Sequence, residues 1–119
     1  MASDEPRKIP VVFYRTPGGS EVVRDWLRDL DEEDRHVIGQ DLMRVQFRWP
    51  VGMPLCRPLG DGLWEVRNDL PRNRIARMLF TVQEGRILIL HGFIKKTQKI
   101  ADEDIALARK RRREFDQQG

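Results

Sequence analysis

Residues Leu63–Lys99 read LWEVRNDLPRNRIARMLFTVQEGRILILHGFIKKTQK. Three apolar, β-prone runs stand close together here: Leu63–Asn68, Arg74–Val82 and Arg86–Phe93. Gln83-Glu84-Gly85 separates the last two, a short hairpin signal. Arginines interrupt the runs at Arg67, Arg74 and Arg77, and Lys95-Lys96 follows the last run. The stretch predicts a small antiparallel sheet that carries cationic side chains.

Strand side chains alternate between faces, so Trp64 and Val66 point one way and Leu63, Glu65 and Arg67 the other. In the second run Ala76, Met78, Phe80 and Val82 form the better core face, opposite Ile75, Arg77, Leu79 and Thr81. If the two core faces coincide, Arg67 and Arg77 share the outer face. The third run stays open. Its hairpin loop can hold two or three residues, and a slip of one moves His91 from one face to the other.

Upstream, Met53–Gly62 (MPLCRPLGDG) has two prolines and two glycines and reads as a loop leading into the sheet. Before it come two helices. Ser20 is a suitable N-cap for the first, with Glu21 in its first turn and Val23, Trp26, Leu27 and Leu30 on one face. Asp31 or Asp34 can cap the second, which carries Ile38, Leu42, Val45 and Trp49 and stops at Pro50 and Gly52. Trp26 and Trp49 read as core, and His36 as a surface residue. Ile9–Arg15 is a strand candidate with Pro10 at its start, and residues 1–8 read as a tail. Downstream, Asp102–Phe115 is a third helix, acidic in its first turn and basic at Arg109–Arg113. Its apolar face is thin (Ile105, Ala108, Phe115), which suggests loose docking or cover from a partner. The predicted order is β-α-α-β-β-β-α.

The chain has 119 residues, enough for one domain and too few for two. Residues 63–99 carry eight Lys/Arg against three Asp/Glu, whereas residues 1–62 carry nine against eleven. The positive excess therefore sits on the predicted sheet. Such a local field attracts polyanions, nucleic acid first among them. Cys56 is the only cysteine, which excludes an intrachain disulfide and fits a reducing compartment. Nothing nearby would activate it as a nucleophile. No Cys/His cluster has metal spacing, no apolar run is long enough for a membrane span, and MASDEPRKIP shows no secretory signal. A cytoplasmic protein without a cofactor is expected.

The combination of GDGLWEVR, ARMLF and GRILILHGFIKKTQK resembles the HigB-like, phage-derived branch of the RelE/ParE toxin superfamily. The resemblance spans most of the chain. It implies an α+β, RelE-like fold in one domain over residues 1–119, with a helical hairpin packed on a small antiparallel sheet. It also implies the toxin of a type II toxin–antitoxin module. Many RelE- and HigB-type members are ribosome-dependent mRNA endoribonucleases, so the resemblance implies that activity here, held silent by a HigA-like helix-turn-helix antitoxin. By the resemblance Arg67, Arg77 and the pair Lys95-Lys96 take the basic positions of the site. Glu65 stands where some RelE members have lysine.

Cleaving RNA by 2′-OH attack needs a base for the 2′ proton, cations for the charge growing on phosphorus, and an acid for the 5′ oxygen. Guanidinium forks suit the second task, so Arg67 and Arg77 are its candidates. Lys95 or Lys96 can hold phosphate or serve as a base. His91 and Glu65 are the candidate proton carriers. Arg72, Arg74 and Lys99 are candidate RNA-binding residues around them. The scheme calls for no metal. Two other readings remain: a ParE-like poison of DNA gyrase, and a non-catalytic RNA-binding phage accessory protein. Fold alone does not choose among them.

Overall fold

The structure, a computed structural model, describes residues 8–95 and 99–118. Its elements are β1 (Val11–Phe13), α1 (Val22–Arg28), α2 (Glu32–Arg48), β2 (Cys56–Gly60), β3 (Leu63–Leu70), β4 (Arg74–Gln83), β5 (Arg86–Lys95) and α3 (Asp102–Gln118). They build one sheet in the order β1-β5-β4-β3-β2. Strands β2 to β5 form an antiparallel meander, and β1 joins β5 in parallel. The architecture is the expected small α+β, RelE-like fold, with a mixed rather than purely antiparallel sheet. The tail proposed for residues 1–8 lies, apart from Lys8, outside the described residues.

Strand β2 falls in the stretch read as a loop. Its prolines hid it. Pro58 gives up a donor, which an edge strand tolerates, and the register slips between Pro58 and Gly60 to absorb the irregularity. Two other local readings change. Helix α1 starts at Val22 with Glu21, not Ser20, in the N-cap position, because the Ser20 amide is turned onto Thr16 Oγ1 at 3.0 Å. Asp34 does not cap α2. Its buried carboxylate takes both Nη groups of Arg74 at 2.8 Å, tying the first turn of α2 to the start of β4.

The sheet is covered on both faces. On one, Val23, Ile38 and Val45 of the helical hairpin pack on Val66, Ala76, Met78, Phe80, Ile87 and Ile89. Trp49 meets Trp64 and Phe80 edge-on, with centroids 4.9 and 5.5 Å apart. Gly92 makes room for Trp26 there, since a Cβ on it would lie 2.7 Å from Cζ3 of that ring. On the other face Ile105, Ala108 and Phe115 of α3 pack against Tyr14, Leu63, Leu79, Leu88, Leu90 and Ile100.

Helix α3 is therefore firmly docked, contrary to the reading of its thin apolar stripe. Its basic block does the fastening. Arg111 donates to Leu90 O (2.9 Å), Arg112 to Asp61 O (2.6 Å), and Arg109 pairs with Asp61 (3.2 Å). Tyr14 also donates to Glu114. The face expected to be the outer one is thus roofed by α3 over Leu63, Leu79, Leu88 and Leu90.

The β4–β5 hairpin closes on a two-residue turn, with Glu84 (φ 53°) and Gly85 (φ 71°) both left-handed and Gln83 paired with Arg86. Further along, Leu79 pairs with His91 but Phe80 with Ile89, so Leu90 is an extra residue on β5. This bulge turns His91 onto the α3 side. An unbroken two-residue hairpin would have turned it toward α1 and α2.

Candidate nucleic-acid cleavage site

The register sets the site. Arg67 lies opposite Arg77, and Arg77 opposite Phe93. Glu65 lies opposite Leu79, and Leu79 opposite His91. By the two-residue period, Glu65, Arg67, Arg77, His91 and Phe93 share the face that α3 covers only in part. Lys95 continues that alternation at the end of β5, opposite Ile75. The Lys95 side chain and Lys96 lie outside the described residues.

Glu65 is the hub. Its Oε1 accepts from Arg77 Nη1 at 2.7 Å and its Oε2 from Arg57 Nη2 at 3.0 Å. Glu65 and Arg77 are buried, at 3% and 2% exposure, whereas Arg57 keeps 45% of its side chain in solvent. Arg67 is about a third exposed and meets Asp69 at 3.5 Å, a loose surface contact. Met53, Pro54 and Leu55 join Arg57, Glu65, Arg67 and Arg77 around a cavity of about 110 Å³. Three guanidiniums thus line the cavity with one carboxylate, and with Asp69 at its edge beside Arg67 they still leave a local positive excess. Arg77 forms its floor, not the exposed cation expected from strand parity, and Glu65 is engaged by two arginines.

His91 stands beside this group. Its Nε2 is 2.8 Å from Asp104 Oδ1 in the first turn of α3, and its ring lies 5.1 Å from that of Phe93. The carboxylate fixes the ring's orientation and favours a proton on Nε2.

Two members of the group escaped sequence reasoning. Arg57 sits in the stretch read as loop, and Asp104 was read only as a helix-dipole acid. Once β2 is recognised as a strand, pairing it with β3 would have put Arg57 opposite Glu65.

The remaining candidates scatter. Arg74 faces α2 and is engaged by Asp34, on the other side of the sheet from Arg77. Arg72 is exposed in the β3–β4 turn at φ 63°, and Lys99 is exposed ahead of α3. His36 lies exposed on α2. Cys56 is buried behind the cavity. Loss of solvent, with Asp41 and Glu65 nearby, pushes its thiol up to about 12, so it is no nucleophile at neutral pH. Among the described residues no cluster of three His, Cys, Asp or Glu is placed to hold a metal, and no helix is long and apolar enough to cross a membrane.

No curated protein matches the chain. The family model described as phage derived protein Gp49-like (DUF891) matches residues 25–113, which run from within α1 through all of β2–β5 into α3 and contain the whole cluster. The chain belongs to this phage-derived Gp49-like family, a toxin-like family of the RelE kind found in toxin–antitoxin contexts.

Proposed function

We propose that the protein is the toxin of a type II toxin–antitoxin module, in the HigB-like branch. It acts in the cytoplasm as a ribosome-dependent mRNA endoribonuclease, and a HigA-like antitoxin silences it. The observation that supports this most is the convergence of Arg57, Arg67, Arg77 and Glu65 on one open cavity, with His91 turned onto the same face by the Leu90 bulge.

In the reaction the substrate's 2′ oxygen attacks the adjacent phosphorus and the 5′ oxygen leaves, giving a 2′,3′-cyclic phosphate and a 5′-hydroxyl. Arg57 and Arg67, the two exposed guanidiniums, hold the phosphate oxygens as charge grows on them. Arg77 works from beneath, fixing Glu65 in place and adding positive potential through the floor. Glu65 and His91 are the groups able to take the 2′ proton and supply one to the leaving oxygen, with Asp104 holding the His91 ring. Lys95, the last residue of β5, and Lys96, next to it in sequence, supply further positive charge. Lys99 and Arg72 bind the RNA strand farther out.

The engagement of buried Arg77 with Glu65 favours a second reading, in which this pair is purely structural and the protein binds RNA without cutting it. Expression from a tight promoter with mapping of mRNA 5′ ends separates the possibilities. Cuts inside translated codons that vanish in Arg67→Ala are expected. Arrest with intact mRNA and a DNA-damage response would point to gyrase, and no arrest to the non-catalytic reading. Arg67 is the better probe than Arg77, because its exposed side chain can be removed without opening the core.

A further inference from the structure

We propose that the C-terminal half of α2 is a docking face for an acidic, amphipathic helix of a partner protein. Met43 and Phe47 lie one helical turn apart and are 50% and 39% exposed, although both are large and apolar. Arg44 and Arg48 repeat the same spacing beside them. With Gln40, these residues make up one open face of α2. An apolar stripe beside a cationic stripe is complementary to a helix with apolar anchors at i, i+3, i+4 and i+7 and Asp or Glu alongside. The cations are available for pairing. Arg44 meets Asp41 only loosely, at 3.6 Å with 62% of its side chain exposed. Arg48 has no carboxylate partner among the described residues.

Protein suits this face better than RNA. Single-stranded RNA platforms use several ring faces for stacking. Here there is one ring, and Lys8 Nζ already stands over it at 5.9 Å. Met43 offers no plane, but its flexible thioether adapts readily to apolar partners.

The face also adjoins a concave part of the surface. Gln40 and Arg44 line the adjoining cavity of about 550 Å³, which continues past Pro54 and Leu55 to Arg67. A segment seated on α2 therefore lies beside the candidate site. Any effect on cleavage rests on the function proposed above, whereas the docking itself does not.

The test uses the full chain and a synthetic 18-residue helical peptide with Leu anchors and flanking Glu. Comparison ligands are the same peptide with Lys for Glu, and a 12-nucleotide single-stranded RNA. Binding is read by fluorescence anisotropy and by amide shifts. The Glu peptide is expected to shift residues 40–48. Met43→Ser with Phe47→Ser should weaken it at least tenfold. Arg44→Glu with Arg48→Glu should exchange the preference to the Lys peptide. Arg44 and Arg48 are exposed, so their double variant should fold like the parent and carries the test even if Phe47→Ser, at a ring only 39% exposed, lowers the melting temperature. No shift of residues 40–48 at millimolar peptide would overturn the proposal. So would shifts there caused by RNA alone, or self-association of the chain that the same substitutions abolish. Peptide binding in a protein that cuts no RNA would uphold the docking face and remove only the nuclease reading.

Discussion

The buried pair of Glu65 and Arg77 lends itself to a double-mutant cycle. Both side chains are almost fully buried and meet at 2.7 Å. Removing one partner of such a pair leaves an uncompensated buried charge and costs about 3–5 kcal/mol, while replacing both with apolar groups is often neutral. Glu65→Leu should fall at the upper end. Arg77→Met should cost about 3 kcal/mol, because Glu65 keeps the half-exposed Arg57 at 3.0 Å. For a chain of 119 residues the unfolding entropy is about 0.25 kcal/mol per degree, so each kcal/mol moves Tm by about 4 °C. Losses of about 12–20 °C are therefore expected for the single variants. Glu65→Leu/Arg77→Met should recover most of that, with a coupling of about 2 kcal/mol or more. Urea and thermal denaturation of the four proteins give the cycle. Additive losses, or a double variant less stable than either single one, would mean that the two side chains are not coupled as a buried pair. The double variant should fold and yet cut no RNA, since it lacks the carboxylate that the proposed chemistry uses.

Other outcomes follow from the same structure. Gly92→Ala should cost about 1–3 kcal/mol, because the new methyl meets Trp26 at 2.7 Å; pairing it with Trp26→Leu should restore part of the loss in a thermal melt. Arg74→Ala should lower stability by about 2 kcal/mol without changing RNA cleavage, since its bonds to Asp34 lie on the far side of the sheet. Burial raises the Cys56 thiol from 9.0 to about 12, so its contribution is present in full below pH 9. Above that the unfolded chain loses the proton while the folded one keeps it, and stability should fall by about 1.4 kcal/mol per pH unit until pH 12. Cys56→Ala should remove that part of the slope in urea titrations. His91→Gln should slow RNA cleavage by about 10²–10⁴-fold. Asp104→Asn should slow it less, while both variants bind RNA unchanged in a filter assay.

Strand parity made much of this molecule legible. Trp64, Val66, Ala76, Met78 and Phe80 do share the face that the helical hairpin covers, and Arg67 does stand opposite Arg77. What escaped depended on long-range packing. Helix α3 places apolar side chains over Leu79 and Leu88 and fastens itself through arginines that, in sequence, read only as the basic end of a helix. Its docking buries part of a face that parity alone leaves open. The role of Arg77 changed for the same reason. Alternation fixes its direction but not its depth or its choice of Glu65. The side taken by His91 depends on the single extra residue at Leu90, which no local signal announced. Arg74 and Asp34 are forty residues apart in the chain, and only the packing of α2 on the sheet joins them.

The chemistry of the RNA ends decides whether the Arg57–Glu65–Arg77 cluster serves RNA cleavage. Purified protein is added to ribosomes programmed with a defined mRNA, and both new termini are characterised. Cleavage within the A-site codon is expected, with a 2′,3′-cyclic phosphate upstream and a 5′-hydroxyl downstream, and it should disappear in Arg67→Ala and His91→Gln proteins that melt like the parent. Uncut mRNA, or the same cleavage from both variants, would contradict that role.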